Sequence, residues 1–426
     1  MENQKNHINK RSLIAGFSGN VLEWYDFTVY GFFATIIGAQ FFPDEDKTVQ
    51  LISAFGVFAA GYLMRPIGGI VFGVIGDKFG RKKALLMSVL LMAIPTTLIG
   101  FLPTYENIGW YSALLLIILR LLQGLSVGGE FTGSISFLVE QAPSKKRGFW
   151  GSWSTFGVFG GILIGSALST IITSILSDSQ LASFGWRIPF LFGSLIGVVG
   201  LFLRKGMAAE ARFDNSDEEN MHKKTPLADF WADYKMPALK IILLTWPFSV
   251  SVYLIFIFLP SYLNTFLHIE LSEALKTHTI AIAMLMLMIP FFGYLTDKLG
   301  RKMVLLASLI GFTFFTYPIF SLMFESTFNS ILGAMALFAI LEAMIQSVMP
   351  ALMTEMFPAK VRYTGLSISY NIAVALFGGT TPLICTWLVK QSGGDIMMPA
   401  YYLIATSVLG IIVSFFIPET FKKELE

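Results

Sequence analysis

The chain has 426 residues, of which 54% are hydrophobic and 14% charged, whereas soluble proteins are about 25% charged. One water-soluble core cannot bury so much apolar surface, because such cores stop growing at about 250–300 residues, so lipid is the expected solvent. The single cysteine, Cys385, excludes an intramolecular disulfide and a cysteine metal cluster, and the net charge of +2 points to no class of partner.

Twelve mostly apolar segments approach or exceed the length that a membrane-crossing helix needs, about 20 residues. The first contains Glu23 and Asp26 and runs for about 30 residues, unlike the short uncharged centre of a signal peptide, so we interpret it as a retained span. We predict an all-α membrane protein with twelve transmembrane helices. The predicted spans are Ser12–Phe42, Val49–Ile75, Ala84–Leu102, Tyr111–Val139, Phe149–Leu176, Ile188–Leu203, Ala238–Leu267, Thr277–Leu295, Met303–Phe324, Ser330–Met356, Thr364–Val389 and Met398–Ile417.

Lysine and arginine are concentrated in alternate connections. These are the two ends of the chain, the loops after spans 2, 4, 8 and 10, and the central stretch from Arg204 through Lys240, which together hold 24 of the 30 basic residues. Loops rich in lysine and arginine stay on the cytoplasmic side of a membrane. We therefore predict an integral protein of the plasma (inner) membrane with both termini in the cytoplasm.

The longest polar stretch divides the chain into two halves of six spans each. We predict an N-terminal six-helix bundle over residues 1–204, a cytoplasmic central loop over 205–237 and a C-terminal six-helix bundle over 238–426. The pattern Gly-x-x-x-Asp-x-x-Gly-Arg-Lys begins at Gly73 and again at Gly293. A six-helix repeat is typical of transporters, whose substrate sites lie near the membrane midplane between the repeats.

The repeated loops predict a gating network on the cytoplasmic side. The aspartate of each loop is expected to pair with the arginine four residues later and with the N-terminus of a neighbouring helix, whose dipole favours an anion. A glutamate followed seven residues on by arginine comes after spans 4 and 10, and Glu140 with Arg147 and Glu355 with Arg362 are expected to cross-link adjacent bundles. The alternative is a set of solvated turns that contribute little. The predicted network consists of Asp77, Arg81, Glu140, Arg147, Asp297, Arg301, Glu355 and Arg362.

Six charged residues stand out in the interior of the predicted spans, where each costs at least about 2.5–3.5 kcal/mol and is by default a functional candidate. The four histidines fall in loops or near span ends, so carboxylates are predicted to carry the proton. The six residues are Glu23 and Asp26 in span 1, Arg65 in span 2, Arg120 and Glu130 in span 4, and Glu342 in span 10.

Proton coupling is predicted from a carboxylate whose pairing with Arg120 changes during the cycle. A neighbouring cation favours the ionised carboxylate and loss of water disfavours it, so a change of access would load or release a proton at Asp26 or Glu23. The alternative is a permanent salt bridge that fixes helix packing. Glu130 and Glu342 are candidates for coupling or for bonds to a neighbouring helix, and Arg65, which precedes a proline, is a candidate anchor of a kink.

The repeated loops resemble the signature loops of the major facilitator superfamily. Within it, four runs resemble the metabolite–proton symporter family, and the resemblance covers essentially the whole chain. It implies two pseudo-symmetric six-helix bundles, with an acid on the first helix and an arginine on the fourth in proton coupling. The four runs are Gly19-Asn-Val-Leu-Glu-Trp-Tyr-Asp-Phe27, Leu63-Met-Arg-Pro-Ile-Gly-Gly69, Gln123-Gly-Leu-Ser-Val-Gly-Gly-Glu130 and Gly185-Trp-Arg-Ile-Pro189.

Known members of that family carry proline and betaine, 2-oxoglutarate, citrate or shikimate. The run Met397-Met-Pro-Ala-Tyr-Tyr-Leu403 and the run Lys146-Arg-Gly-Phe-Trp-Gly-Ser-Trp153 look most like the proline/betaine branch. The chain ends at Glu426 without the long coiled-coil extension of osmosensing members, so osmotic gating by such a tail is not expected. Span 5 of the sequence contains no Gly-Pro pair, the antiporter signature of the superfamily, and this favours symport.

The predicted function is proton-coupled import of a small zwitterion such as proline or glycine betaine, by alternating access. The six embedded charges sum to −2 when ionised, and a zwitterion needs only one cation for its carboxylate, while aromatic faces accept its ammonium group. The alternative substrate is a di- or tricarboxylate such as 2-oxoglutarate or citrate. The substrate-binding candidates, each of which could instead serve packing, are Trp24, Tyr25, Tyr30, Arg65, Gln123, Trp153 and Tyr253.

Other classes of function fit the sequence less well. It contains no HExxH motif, cysteine–histidine cluster or phosphate-binding glycine loop, so an enzyme, a metal site and a cofactor are not expected. A channel would show no gradient-driven accumulation, and the intact loop motifs argue against a sensor that transports nothing. The expected partners are the substrate, protons and the bilayer, without nucleic acid, and the protein is expected to function as a monomer.

Overall fold

The computed structural model describes residues 10–79, 81–210, 233–421 and 423–425, and within them the side chains of 19–72, 75, 87–199, 233–421 and 423–425. Every regular element of these residues is helical, which confirms the predicted all-α class. The central loop was predicted over 205–237. Span 6 remains helical to Glu210 and span 7 begins at Lys235, and residues 211–232 lie outside the described ranges.

Twelve helical spans follow one another in the described residues, several of them built from two or three pieces. Span 1 comprises Lys10–Phe32 and Ala34–Phe41, span 2 Lys47–Leu63 and Arg65–Phe79, span 3 Arg81–Phe101, span 4 Trp110–Ser126 and Glu130–Glu140, span 5 Arg147–Ile175, span 6 Ile188–Glu210, span 7 Lys235–Tyr253, Leu254–Phe258 and Leu259–Phe266, span 8 Leu271–Leu299, span 9 Arg301–Met323, span 10 Phe328–Glu355, span 11 Arg362–Ala373, Val374–Gly378 and Thr381–Gln391, and span 12 Met398–Phe415.

The predicted spans agree with the helices to within a few residues, except at two ends. Span 6 continues seven residues past Leu203, and span 8 begins at Leu271, six residues before the predicted start at Thr277. By length and composition, nine helices of the described residues can each cross a membrane. Large apolar side chains face outward, as in Ile70, Leu287 and Phe314, which are 70–80% exposed and suit contact with lipid.

The packing of the helices repeats between the two halves. In the first half span 1 packs on span 5, span 3 on spans 4 and 6, and span 2 on span 4. The equivalent pairs of the second half, 7 with 11, 9 with 10 and 12, and 8 with 10, pack in the same way. The halves meet where span 5 lies against spans 8 and 10 and span 2 lies against span 11, so the fold is two related six-helix bundles.

Helix interruptions place polar groups between the bundles. Met64 ends the first piece of span 2, so Arg65 begins the second piece directly before Pro66, as expected for a residue that precedes proline. Span 4 breaks at Val127, which has extended backbone angles, and the carbonyl of Gly128 there accepts a hydrogen bond from Asn371 of span 11. The broken segment of span 4 is therefore tied to the opposite half.

Spans 7 and 11 each contain a short π-helical segment, and a proline follows each of them. Pro260 stands two residues after the end of Leu254–Phe258, and Pro382 four residues after the end of Val374–Gly378. A proline has no N–H, so the carbonyl four residues before it loses its usual helical donor. Pro260 thus frees the carbonyl of Phe256 to accept a hydrogen bond from another helix.

Candidate functional site

A small cavity lies between the two halves, lined by residues of spans 1, 4, 5, 7, 10 and 11. Its volume is about 10 Å³, close to the minimum of about 10–15 Å³ that one water requires. Aromatic side chains dominate its wall, and the polar groups there come from Ser249, Gln346, Trp24 and the tyrosines. The lining residues are Trp24, Phe131, Val158, Phe248, Ser249, Val252, Tyr253, Gln346 and Tyr370.

The aromatic rings of the cavity come from both halves and touch one another. The rings of Trp24 and Tyr253 are 5.7 Å apart, and Tyr253 also makes an edge-to-face contact with Tyr62 at 5.2 Å. Phe131 and Tyr370 lie 4.7 Å apart on the other side. Neither the Trp24 Nε1 nor the Tyr253 hydroxyl has a hydrogen-bond partner in the described part of the chain. The predicted candidates Trp24 and Tyr253 therefore meet at the cavity.

Arg65 adjoins this aromatic group and forms an ion pair with Glu23. Its Nη2 lies 2.9 Å from Oε1 of Glu23, and both side chains are 2% exposed. The guanidinium lies over the Tyr62 ring, 5.3 Å from its centre, and it interacts electrostatically with Tyr253 and Tyr370. Its Nε and Nη1 atoms have no hydrogen-bond partner among the described residues. Arg65 therefore both begins the second piece of span 2 and presents two free donors beside the cavity.

Asp26 and Arg120 face each other without forming an ion pair within 4.0 Å. Both are buried, and Asp26 lies near Arg120 and the Thr96 hydroxyl, but its Oδ1 atom has no hydrogen-bond partner among the described residues. The Arg120 guanidinium instead lies over the Tyr30 ring, 4.3 Å from its centre, with Phe58 at 5.4 Å. In this conformation the acid of span 1 that pairs with an arginine is Glu23, and its partner is Arg65 rather than Arg120.

Gln123 joins Arg120 to span 3. Its Oε1 accepts a hydrogen bond from Nη1 of Arg120 at 2.9 Å, and its Nε2 donates to the Thr96 hydroxyl at 2.6 Å. Gln123 is not among the residues that line the central cavity. The structure therefore places this substrate-binding candidate at the proton-coupling candidates instead.

The other two acidic candidates lie apart from Asp26. Glu342 is fully buried in span 10, where its Oε1 accepts a hydrogen bond from the cavity residue Gln346 at 2.6 Å. Glu130 lies with Glu23 in the wall of a second cavity of about 10 Å³, formed by spans 1, 3 and 4 and also lined by Ser88 and Ser126. The structure thus separates the acidic candidates into three places.

The remaining aromatic candidates make packing contacts. The Tyr25 hydroxyl donates to the carbonyl of Pro189 in span 6, and the Tyr30 hydroxyl donates to the carbonyl of Ala54 in span 2. Trp153 packs against Phe149 and Phe156 of its own helix. These three side chains do not line the central cavity.

His278 corrects the expectation that every histidine falls in a loop or near a span end. Because span 8 begins at Leu271, His278 lies two turns inside it and is 1% exposed. Its Nε2 donates to the Phe256 carbonyl at 3.2 Å, so its Nδ1 accepts from the Ser166 hydroxyl at 3.0 Å. The histidine therefore takes up the carbonyl that Pro260 leaves without a donor, and it joins spans 7 and 8 to span 5 of the other half.

The face predicted to be cytoplasmic, which we call the basic face, contains a dense ionic cluster around Arg301. Its guanidinium bonds Asp297 at 2.8 Å and binds both oxygens of Glu355, at 3.0 and 3.2 Å. The Asp297 carboxylate also accepts hydrogen bonds from the backbone N–H groups of Gly148 and Phe149, both at 2.8 Å. An aspartate on the arginine four residues later and on a helix N-terminus is the arrangement predicted for this loop.

Gly148 permits this approach, because a Cβ at that position would collide with Thr296 and would lie 2.7 Å from the carbonyl of Gly293. The copy of the arrangement predicted around Asp77 and Arg81 in the first half lies outside the described side chains.

The glutamate–arginine motifs pair across the halves and not within their own loops. Glu140 of the first half bonds Arg362 of the second at 3.1 Å, while Glu355 of the second half lies 3.9 Å from Arg147 of the first. The predicted pairings of Glu140 with Arg147 and of Glu355 with Arg362 are therefore exchanged. The exchange arises because span 5 begins against the end of span 8, which brings each motif close to the other half.

The end of the chain adds to the same cluster. Glu419 accepts hydrogen bonds from the backbone N–H groups of Arg301 and Lys302, both at 3.0 Å, and so caps span 9. The Thr420 hydroxyl donates to Glu355, and Arg147 donates to the carbonyl of Lys423 at 2.7 Å. The segment after span 12 therefore lies across the junction of the halves on the basic face.

The halves also meet on the opposite face. Lys390 at the end of span 11 lies 3.2 Å from the carboxylate of Asp46, which caps span 2. The Thr48 backbone N–H and, secondarily, Lys390 hold the pKa of Asp46 below its usual value, so this pair is lost only as the pH falls through that lowered pKa and persists at about pH 5–8. Together with the His278 contacts, the pair joins the halves on this face. The residues that line the central cavity are all buried, so the cavity lies in the interior of the protein.

Sequence reasoning missed Tyr370 and Gln346 in the cavity wall and Thr96 beside Asp26. Tyr370 belongs to the run Ser367-Ile-Ser-Tyr-Asn371, a concentration of polar side chains within an apolar span that could have marked it. Gln346 follows the predicted candidate Glu342 by one helical turn, a spacing at which side chains meet. A single threonine in a span carries no such signal.

Comparisons with known proteins bear on the fold and the family. A family model described as "Sugar (and other) transporter" matches residues 12–209 and 205–426. A protein of Escherichia coli (strain K12) named "Proline/betaine transporter" is 35% identical over 427 residues, which cover 98% of this chain and 85% of the relative. A protein of Staphylococcus aureus (strain COL) with the provisional name of a proline/betaine transporter is 36% identical over 98% of this chain and 91% of its own length.

Solved structures of similar fold include two of xylose–proton symporters. The crystal structure of a D-xylose-proton symporter matches with a TM-score of 0.72 at 19% identity, covering 97% of this chain and 99% of the other. The structure of a major facilitator superfamily proton:xylose symporter bound to 6-bromo-6-deoxy-D-glucose matches with a TM-score of 0.76 at 18% identity, covering 97% and 96%. At these identities the likeness concerns the fold.

We expect the substitution Glu355→Gln to open the basic face. Removal of one partner from a buried ion pair costs about 3–5 kcal/mol. Because each 1.4 kcal/mol changes an equilibrium constant about tenfold, this loss should shift the equilibrium strongly towards the open form. The measurement uses Cys385→Ser to remove the native cysteine and Ser152→Cys as a probe, because Ser152 is buried against Gly293 between spans 5 and 8. Maleimide should label the introduced thiol at least about tenfold faster in the Glu355→Gln protein.

The matched control is Glu325→Gln, at an exposed glutamate after span 9, which should leave the labelling rate unchanged. Equal rates in all three proteins would contradict a role of the ionic cluster in closing this face.

Proposed function

The chain belongs to the sugar (and other) transporter family of the major facilitator superfamily, and on this premise we propose that it imports a small zwitterion together with protons. Membership of this superfamily confirms the resemblance in the loop motifs. The protein is an integral membrane transporter of a small molecule, not an enzyme. The enclosed aromatic cavity beside Arg65 is the observation that carries the choice of substrate class.

The cavity combines the two features that a zwitterion requires. The Nε and Nη1 atoms of Arg65 have no partner among the described residues, and an N–H group of a charged guanidinium forms a strong hydrogen bond with a carboxylate. The rings of Trp24, Tyr253 and Tyr370 supply faces that attract an ammonium group. Relatives named as proline/betaine transporters fit this chemistry, since both named compounds are zwitterions with one carboxylate.

A di- or tricarboxylate fits the cavity less well. Each further carboxylate needs a further cation or group of donors when it leaves water. None of the described cavity-lining residues is a cation, and Arg120 lies behind the rings of Tyr30 and Phe58. We therefore prefer the zwitterion to 2-oxoglutarate or citrate.

The proton is carried by Asp26 in this proposal. A buried carboxylate without a cation is unfavourable, and either a bound proton or pairing with Arg120 relieves it. In this structure Oδ1 of Asp26 has no partner among the described residues and Arg120 is held elsewhere, which suits the protonated state. Release follows when Arg120 moves to Asp26. Glu23 is paired with Arg65 through Oε1, so we assign it to the substrate site and not to proton transfer.

Transport follows alternating access between the two bundles. The ionic cluster on the basic face, with Asp297, Arg301 and Glu355 at its centre, breaks when that face opens. The contacts at His278 and between Asp46 and Lys390 break when the opposite face opens. At about 10 Å³ the cavity has room for no more than one water, so it corresponds to a substrate-free form in which neither path is open, and the site must widen around the same residues to admit a substrate.

We expect the substitution Tyr253→Leu to weaken uptake, because it removes an aromatic face from the cavity. Cation–π contacts contribute about 0.5–2 kcal/mol, so the KM for glycine betaine or proline should rise about 2- to 30-fold. The matched control Tyr253→Phe keeps the ring and removes a hydroxyl that has no partner among the described residues, so its KM should remain near wild type.

The assay is uptake of labelled glycine betaine, proline, 2-oxoglutarate and citrate into proteoliposomes with and without an inward proton gradient. Gradient-driven, saturable uptake of the carboxylates alone would reject the proposed substrate class.

For proton coupling, Asp26→Asn should abolish accumulation driven by a proton gradient but retain counterflow of substrate at equal pH. The amide keeps the shape of the side chain and cannot release a proton. Glu106→Gln, at an exposed position before span 4, is the control and should accumulate substrate as the wild type does. Full accumulation by the Asp26→Asn protein would assign the proton to another residue, and Glu342→Gln in the same assay tests the next candidate.

We further propose that both termini are cytoplasmic and that the monomer is the functional unit, in the plasma membrane. The alternation of basic and acidic connections supports the orientation. A cysteine at the exposed position Glu106, in a Cys385→Ser background, should react with an impermeant maleimide added to intact cells, whereas one at the exposed Lys360 should react only after lysis. The reverse pattern of labelling would invert the orientation.

A further inference from the structure

Arg120 is held by a side chain that cannot change its charge. Its Nη1 donates to the amide oxygen of Gln123 at 2.9 Å, and its guanidinium rests on the rings of Tyr30 and Phe27, at 4.3 and 5.1 Å. Its Nε and Nη2 have no hydrogen-bond partner in the described residues, and the side chain is fully buried. Gln123 therefore supplies the hydrogen bond that keeps Arg120 in this position.

The other end of Gln123 is tied to the residue that faces Asp26. Its amide nitrogen donates to the Thr96 hydroxyl at 2.6 Å, and that hydroxyl donates to the carbonyl of Met92 at 2.8 Å. The same hydroxyl lies beside Asp26. Rotation of one O–H bond would move its hydrogen from Met92 to an ionised Asp26, and the amide of Gln123 would still be satisfied.

Asp26 meets few charged or titratable groups from the elements around it. Span 4 presents Arg120, span 3 presents Thr96, and its own helix contributes Tyr25. Span 6 contributes Gly193, where a Cβ would lie 3.2 Å from Oδ1. Span 2 contributes Arg65, which forms its ion pair with Glu23. Span 5 packs on span 1 through two glycines, Gly161 and Gly165. Span 7 places Tyr253 against Trp24. Arg120 is the cation that can change the protonation of Asp26.

From this geometry we infer that Gln123 and Thr96 are positioning residues that hold Arg120 apart from Asp26 and thereby set how tightly transport is coupled to protons. The inference rests on the proposed function. Gln123 competes with Asp26 for the same guanidinium. The competition is close because the neutral amide of Gln123 always accepts a hydrogen bond, whereas the carboxylate of Asp26 attracts the cation only when it has lost its proton. Asp26 can therefore be protonated while Arg120 stays with Gln123.

Removal of this restraint predicts an uncoupled carrier. With Gln123→Leu, Arg120 would remain with Asp26, which would stay ionised to lower external pH. Accumulation driven by a proton gradient should fall about tenfold at neutral pH and recover when the external pH is lowered by about one unit, while counterflow stays within about twofold of wild type. Gln123→Met, which keeps the length of the side chain but removes the amide, should shift the pH profile in the same direction, and Thr96→Ser, which keeps the hydroxyl, should retain the wild-type profile.

A double variant separates positioning from a merely structural role. If Gln123 acts through Asp26, adding Gln123→Leu to Asp26→Asn should change neither accumulation nor counterflow further, because the two substitutions affect one step. A wild-type pH profile for Gln123→Leu, or equal losses of accumulation and counterflow with a raised KM, would overturn the inference and return Gln123 to packing or substrate contact.

The Gln123→Met variant decides the question by the same pH profile should the leucine variant fail to fold. Failure of the proposed function is a separate result, since wild-type protein would then show no proton-driven uptake at all.

Discussion

The cost of keeping charge inside a lipid-embedded bundle determines the arrangement of this protein. A lone charge at that depth is unfavourable, so every embedded ionisable residue needs compensation from a neighbour. Glu23 obtains it from Arg65 through a direct ion pair, and Arg120 obtains part of it from aromatic faces and Gln123. The ion pair of Arg65 with Glu23 is a strong contact. The contacts of Arg120 with a neutral amide and aromatic rings are weak enough to be replaced by another partner. Because the two buried arginines are compensated so differently, we propose different tasks for them, substrate binding for Arg65 and proton release for Arg120.

The same absence of water governs the backbone. A carbonyl that loses its helical donor inside a membrane must find another one. Pro260 removes the donor of Phe256, and His278 replaces it from span 8 while it bonds Ser166 of the other half. A local irregularity of span 7 is thus converted into a contact between bundles. The carbonyl of Gly128, at the break in span 4, is satisfied in the same way by Asn371. Helix interruptions are thus among the places where the two halves form hydrogen bonds with each other.

Much of the fold could be predicted because its determinants are local. Hydrophobic length identifies spans, and the Gly-x-x-x-Asp loop predicts that Asp297 binds Arg301 and a helix N-terminus, since both partners follow from the spacing and from helix polarity. The choice of partner across a bundle could not be predicted in this way. Sequence proximity favoured pairing Glu140 with Arg147, but the docking of span 5 on span 8 brings Arg362 to it instead.

The type of site could be predicted from the sequence, but the full set of residues that form it could not. Trp24 and Tyr253 were found because aromatic and charged residues in apolar spans stand out, whereas Tyr370 and Thr96 are ordinary residues whose roles depend on which helices face them. His278 was misplaced by an error of six residues at the start of span 8. A boundary error of under two turns is therefore enough to make a buried residue that joins the bundles look like a residue at the end of a span.

The crossed contacts of the basic face also bear on how the two halves arose. Glu140 of one half reaches Arg362 of the other, and Glu355 reaches back toward Arg147, so the same two motif positions meet twice with their roles exchanged. That reciprocity is the defining property of an isologous interface between identical subunits related by a two-fold axis. A six-helix unit encoded once would have closed on its own copy by the same pair of contacts. Fusion of two copies then required only a connecting segment, because the surface that joins them was already complementary to itself.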